Sequence, residues 1–349
     1  MPDTGYSFLE RLLHRLALQS GAIAEMSFDL DQRTVRADPT GIRHQRHIFV
    51  SGLARAGTTV LMRRFHATGR YRSLTYRDMP FVLAPNLWHR FTLLSKHEIV
   101  HVERAHGDKL LVNIDSPESL DEVFWRIFTG NEYIKKGKLI PYEPAAEIIK
   151  KFVRYVNAIL STPPARCNRY LSKNNNNILR LGAIHKAFPN ALILIPFREP
   201  LQHAYSLLRQ HRRFSELQSA SAFTLSYMNW LCHHEFGLGH RPILPDDIAP
   251  PPYPPATLDY WLQLWCETYS WLEHAKPDAA LFVCYEDLCA DKENWQRLAE
   301  LADIPAEQKT GDSFESGNKS SDFDADQEVV DRASAIYERL VTLARARLS

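Results

Sequence analysis

The sequence predicts an α/β fold of three layers, a central and mostly parallel sheet flanked by helices, on three observations. The stretch "IFVSGLARAGTTVLMRRF", residues 48–65, reads as a buried strand, a glycine-bracketed loop and the first turns of a helix. The run "ALILIPF", residues 191–197, is apolar throughout, as suits a strand covered on both faces. Strand-like and helix-like segments alternate along the chain, the order expected when helices cross over between parallel strands.

Residues 1–46 read as an appended amphipathic helix, with Glu10, Arg11, His14 and Arg15 among its leucines, followed by a polar connector; residues 47–349 read as a single domain. After the first strand and helix, "YRSLTYRDMPFVLAPNLWHRF" (71–91) mixes aromatics, arginines and two prolines without a clear period, which predicts an ordered loop over the sheet edge. Helices are expected over 117–130, opened by Ser116 before Pro117 and closed by Gly130, and over 141–161. "RYLSKN" (169–174) is a short strand, "ILRLGAIHKAFPN" (178–190) a helix stopped at Pro189, and 191–197 the buried strand. Within the loop 239–257, seven prolines between Pro242 and Pro255 exclude helix and central strand, leaving a stiff connector or a lid. "LDYWLQLWCETYSWLEHA" puts Trp261, Trp265 and Leu272 on one helical face; "ALFVCYEDL" is another buried strand, and the chain closes on an amphipathic helix.

A chain of 349 residues, 45% hydrophobic, 24% charged and of net charge +1, has ample material for a core and no global bias toward nucleic acid or a membrane surface. Five scattered cysteines without C-x-x-C pairing argue against a disulfide framework or a zinc site. No segment approaches the ~20 apolar residues of a membrane span, and the amphipathic N-terminus does not read as a signal peptide. These features predict a cytoplasmic protein whose anion specificity is local, with neither nucleic acid nor an integral membrane segment among its partners.

That specificity centres on the frame from Gly52 to Gly57. Backbone N–H groups at a helix N-terminus, with the helix dipole, attract an anion, and Thr58 and Thr59 add hydroxyl donors. A nucleotide triphosphatase places a lysine after the second glycine and a magnesium-holding aspartate at a strand end. Here Thr58 replaces the lysine, Arg55 sits inside the loop, and the strand 191–197 leads to Arg198. The charge comes from the protein, and no metal is expected. Arg198 offers a guanidinium fork, and Ser206, eight residues on, a hydroxyl to the same phosphate-sized group. A degenerate kinase or NTPase loop is the alternative enzyme; a non-catalytic nucleotide-binding protein is the alternative outside catalysis.

Two such sites without magnesium suit a ligand with anions at both ends of a ribose, and here the sequence resembles the P-loop-like sulfotransferases that use 3'-phosphoadenosine 5'-phosphosulfate. "GLARAGTT" resembles their phosphosulfate loop, with Ala56 for the usual serine; "FREPLQHAYS" resembles their 3'-phosphate motif, with Glu199 for the usual aspartate. "LFVCYEDL" and "LAELADIP" resemble a later strand and helix, so the likeness spans about 47–345. The resemblance implies that Arg55, Ala56, Gly57, Thr58 and Thr59 hold the phosphosulfate and that Arg198 and Ser206 hold the 3'-phosphate. Lys319 and Ser320, in "ESGNKSSDF", would close over the nucleotide, and a small alcohol or glycan hydroxyl would be the acceptor. Lys173 would contact the bridging oxygen, as in the tyrosylprotein type; a solvated strand-end lysine is the other reading. Asp78 is the candidate base, with a surface pair to Arg77 as its bland alternative and His106 and His89 as runners-up.

Overall fold

In a computed structural model of the chain, the structure describes residues 8–35, 39–94, 102–103, 111–112, 120–163, 166–305, 314 and 323–348. Five strands, β1 (Ile48–Val50), β2 (Tyr71–Arg72), β5 (Arg169–Lys173), β6 (Leu192–Phe197) and β7 (Ala280–Cys284), form one sheet in the order β2-β5-β1-β6-β7. Every neighbouring pair in it is parallel. Between β2 and β5, β3 (Val102–Glu103) and β4 (Leu111–Val112) make a separate antiparallel pair.

The alternation of side chains along β1 explains the layers. Ile48 and Val50 point to one face and pack with Leu61, Met62 and Phe65 of the helix Thr58–His66 and with Trp295 of the helix Lys292–Leu301. Phe49 points to the other face, into a larger core built with Phe152, Tyr170 and Phe188. Both faces are covered, so the strands carry no polar face, as the run in β6 predicts. Each of these large side chains contributes roughly 1.5–3 kcal/mol by leaving water, which outweighs the weak helix propensity of the aromatic-rich segments above them.

Pro196 lies inside a central strand, where a missing N–H would ordinarily break the ladder. β1 pairs with β6 only as far as Leu194, so Pro196 faces Gly52 beyond that ladder, and its carbonyl accepts the Tyr269 hydroxyl at 2.9 Å. The chain can therefore turn away from the sheet where the loop begins.

Three elements differ from the sequence reading. The segment 71–91 is not loop throughout: Tyr76–Asp78 is a 3-10 turn and Pro85–Leu94 a helix, with Pro85 in the first turn, where its absent N–H costs nothing. The helix expected over 141–161 begins at Ala146, because Pro141 and Pro144 hold the preceding residues extended. In 178–190, a 3-10 stretch (Asn175–Arg180) precedes the α-helix Leu181–Ala187. The helix expected over 117–130 is described only from Leu120, with its α-helical part at Glu122–Phe128.

Near the N-terminus, the helix Gly21–Gln32 buries Phe28 against Phe124, Phe128 and Tyr155. Its buried Asp31 accepts from Leu87 N–H at 2.8 Å and Asn86 Nδ2 at 3.1 Å, satisfying the start of the helix Pro85–Leu94. Burial raises the Asp31 pKa, and these hydrogen bonds oppose that rise. The proline-rich loop is tied down by Lys138, whose ammonium donates to the carbonyls of Pro245, Asp246 and Ile248 at 2.6–3.0 Å. Trp261 donates its indole N–H to Pro255 O at 2.8 Å. Prolines supply no N–H partners for such carbonyls, and these two side chains take that part.

Candidate active site

The loop from Ser51 to Gly57 leaves the C-terminal end of β1 and enters the helix Thr58–His66, whose first-turn N–H groups no Gly57 side chain can cap. Gly57 has φ +86°, and a Cβ there would stand 2.3 Å from the Tyr285 ring; only glycine fits on both counts. Arg55 adopts φ +70°, a left-handed conformation costing a non-glycine residue roughly 1–2 kcal/mol. Strain of this kind persists where the surroundings over-determine the backbone. Ala56 and Thr58 are buried, while Thr59 and Arg55 are partly open.

The structure joins the two predicted anion motifs. Arg55 Nε donates to Ser206 Oγ at 3.2 Å, so the loop and the helix Pro200–Ala220 meet at the residues chosen from each. Arg198, at the end of β6, lies over the Tyr285 ring at 5.6 Å and has its Nε 3.9 Å from Glu286 Oε1. Glu286 also accepts from Glu199 N–H (3.1 Å) and the Tyr337 hydroxyl (3.2 Å), which fixes the carboxylate facing Arg198. Glu199 itself caps its helix, accepting from Leu201 N–H at 3.1 Å and Gln202 N–H at 2.8 Å. Capping is work that aspartate also does, so the Glu-for-Asp departure costs the site little.

Lys173 closes β5 opposite Val50 of β1 and is 9% exposed, which makes a freely solvated strand-end lysine an inadequate description. The next residues are fastened from beneath. Asn174 N–H continues the ladder to Val50 O at 3.1 Å, and Asn174 Nδ2 donates to Glu122 Oε2 at 2.7 Å. Glu122 forms a bidentate pair with fully buried Arg180, 2.7 Å on each arm, and Tyr133 donates to the same carboxylate. The Arg180 guanidinium is surrounded by Trp125, Tyr133 and Tyr142 at 5.0–5.2 Å. Asp121 takes the hydroxyls of Ser172 (2.6 Å) and Tyr170 (3.1 Å), and burial raises its pKa. Glu235 accepts from Asn175 Nδ2 at 2.8 Å. Burial pushes the Glu235 pKa up, but the charges of His233 and Lys173 together with its hydrogen bonds leave the carboxyl below its ordinary value.

Asp78 has a set of partners of its own. It is buried, paired with Arg72 (2.8 and 3.1 Å), and completes a capping box with the Thr75 N–H and hydroxyl (2.7 and 3.1 Å). The sequence offered Arg77 as the bland partner; a pair to Arg72 holds the carboxylate. Burial and the charge of Arg77 hold the His89 pKa below its usual value. His106, Lys319 and Ser320 lie outside the described residues.

Sequence reasoning missed Tyr285, Glu286, His203 and the Glu122–Arg180 pair. The first two immediately follow the strand 280–284, a position that could have flagged them. Glu122 and Arg180 are 58 positions apart and leave no local pattern.

The loop after β1, Lys173 at the end of β5 and Arg198 after β6 all lie at the C-terminal ends of parallel strands, the side of an open α/β sheet where ligands bind. Residues 47–308 match the model described as the sulfotransferase family, and the chain belongs to that family. No curated protein sequence matches the chain. Among solved structures it is similar to the sulfotransferase STF1 from Mycobacterium tuberculosis H37Rv, with 12% identity, 98% of this chain and 88% of that one covered, and a TM-score of 0.47. It is also similar to STF9 from Mycobacterium avium, with 16% identity, 86% and 72% covered, and a TM-score of 0.42. Likenesses of this strength assign neither a donor nor an acceptor.

Proposed function

We propose that the protein transfers a sulfuryl group from 3'-phosphoadenosine 5'-phosphosulfate to a hydroxyl of a small alcohol or carbohydrate. The observation that carries this reading is the 3.2 Å contact between Arg55 and Ser206, which brings the loop against the helix that follows Arg198. The residues fit such a donor: an uncapped helix start, a glycine against Tyr285 where any side chain would intrude, and two arginines at the rim.

When bound, the donor supplies an activated sulfuryl group on a phosphate leaving group. The N–H groups of Gly57, Thr58 and Thr59 and the Arg55 guanidinium bind and orient its 5' end and hold the negative charge that grows there. Arg198 and Ser206 hold the 3'-phosphate; Glu286 keeps the Arg198 fork facing the site beforehand. Lys173, at the end of β5, is assigned to the bridging oxygen, where its ammonium would hold the charge of the leaving group, and Lys319 and Ser320 are assigned to closure over the nucleotide. Asp78 is assigned to take the acceptor's proton, although its carboxylate also caps a turn. Cysteines that all carry free thiols support a reducing, cytoplasmic location. Among the described residues no helix is long and apolar enough to cross a membrane.

Calorimetry with 3'-phosphoadenosine 5'-phosphate against magnesium ATP is the test. Tight bisphosphate binding without metal is expected; metal-dependent ATP binding with no bisphosphate binding would overturn the reading in favour of a degenerate NTPase. Asp78→Asn then separates two roles. A kcat loss of about 10²- to 10⁴-fold at unchanged Tm marks a base, whereas lower Tm with turnover retained leaves only a cap.

A further inference from the structure

The helix Pro200–Ala220 sends a second side chain into the loop besides Ser206. His203 is fully buried, three positions before Ser206 and so on the same face of the helix. Its Nε2 lies 2.8 Å from the Ala54 carbonyl oxygen, and its Nδ1 lies 3.1 Å from Trp265 Nε1. An indole nitrogen only donates, so Nδ1 must be the acceptor, and the single ring proton sits on Nε2, where it donates to Ala54. Protonation of Nδ1 would set two N–H groups against each other in a buried site. Burial takes the pKa down to about 3, helped by the charges of Arg198 and Arg55, while the bond to Ala54 opposes the fall.

The bond falls on the peptide that matters most. Ala54 precedes Arg55, whose backbone stands in the left-handed region, and the orientation of the Ala54–Arg55 peptide decides whether it stays there. Carbonyl and N–H point in opposite directions across a trans peptide, so a carbonyl turned onto His203 turns the Arg55 N–H away from the helix. Nests of N–H groups made with a left-handed residue bind anions. His203 fixes the backbone at Ala54 and Ser206 holds the side chain at Arg55, so adjacent loop residues are set from one helix face.

We propose that His203, kept in one neutral tautomer by Trp265, is a positioning residue that holds the Ala54–Arg55 peptide in the anion-binding form of the loop. This rests on the donor reading given above. It predicts that the helix carrying Arg198 and the loop carrying Arg55 respond to ligand as one unit.

The test uses calorimetry with 3'-phosphoadenosine 5'-phosphate on the full chain, with Tm recorded for each variant. His203→Phe keeps ring volume but removes the donor and is expected to bind about 10- to 100-fold more weakly, the effect of leaving a buried carbonyl unpaired. His203→Gln retains an N–H donor and is expected to recover most of that loss. Trp265→Phe releases Nδ1, and is expected to bind several-fold more weakly, with affinity that falls more steeply between pH 7 and pH 5 than the parent's, whose own fall follows protonation of the ligand's phosphates; it carries the test if His203→Phe does not fold. Parent-like affinity in His203→Phe, Gln as weak as Phe at equal Tm, or a pH profile in Trp265→Phe parallel to the parent's would overturn the proposal. Failure of the parent itself to bind the bisphosphate would overturn the donor reading, and this inference with it.

Discussion

The loop after β1 and the segment after β5 reach the same edge of the sheet, yet different physics holds each in place. At Ala54–Arg55 the supports are uncharged side chains of one helix, with His203 donating to the carbonyl and Ser206 accepting from the guanidinium, acting on a backbone that includes a left-handed arginine. At Lys173–Asn174 the support is a buried ion pair, Glu122–Arg180, enclosed by aromatic rings and reaching Asn174 through a carboxylate oxygen. Neutral supports can be lost one at a time at modest expense. A buried charge cannot lose its partner without becoming a desolvated ion. The contrast predicts that damage to the loop appears first in ligand binding, and damage beneath β5 first in folding.

The largest expected effect breaks the β5 side. Arg180→Met leaves the Glu122 carboxylate buried without its bidentate partner and should cost about 3–5 kcal/mol in a urea titration. Arg55→Ala, at a partly open position whose φ alanine also dislikes, should change stability little while weakening anion binding. Equal losses of stability in the two variants would remove the contrast.

How much could be read beforehand divides along the same line. The loop was legible because its chemistry is local: Gly52, Gly57 and the threonines at the helix start occupy consecutive positions between an apolar strand and an amphipathic helix. Arg198 and Ser206 were legible for the same reason, and the structure brings Ser206 to Arg55. Lys173 was placed by its position at a strand end, but what fixes it was not visible. Glu122, Tyr133 and Arg180 come from separate elements and read individually as ordinary surface residues. Asp78 shows the opposite failure, since its place after the first helix is legible but the Arg72 and Thr75 contacts that occupy its carboxylate are not. The same holds for 85–94, where a proline marked as a loop signal opens a helix.

A second, smaller effect sharpens the loop side. Arg198→Ala should weaken bisphosphate binding by about 10- to 100-fold, the value of a charge-assisted contact of roughly 1.5–3 kcal/mol. Arg198 is matched by Glu286 without being enclosed in a buried pair, so stability should move much less than in Arg180→Met. A calorimetric affinity unchanged by the substitution would reject its place at the 3'-phosphate.

The smallest single-residue effect concerns pH and arises from the buried neutral histidines. His203 is not alone in being buried neutral: His47 accepts Tyr170 N–H at 2.8 Å with its other nitrogen on Ile42 O, and His234 accepts Arg241 Nη1 at 3.1 Å with its other nitrogen on Gly239 O. Desolvation comes first among the causes that lower His47 and His234 to about 4 and His203 to about 3, from an ordinary 6.5. The unfolded chain therefore binds protons at these groups that the folded chain refuses. Their contribution is fully present above about pH 7 and is lost as pH falls from about 6.5 toward 4, at up to about 1.4 kcal/mol per pH unit for each histidine. Urea unfolding at pH 7.5, 6.0 and 5.0 should show this decline before most carboxylates titrate. His203→Gln should make the decline shallower by one histidine's share, while Glu122→Gln should lower stability at all three pH values and leave the slope nearly unchanged. Equal slopes in the parent and His203→Gln would mean that the histidine is protonated in the folded state and that the Ala54 carbonyl is held by something other than a neutral imidazole.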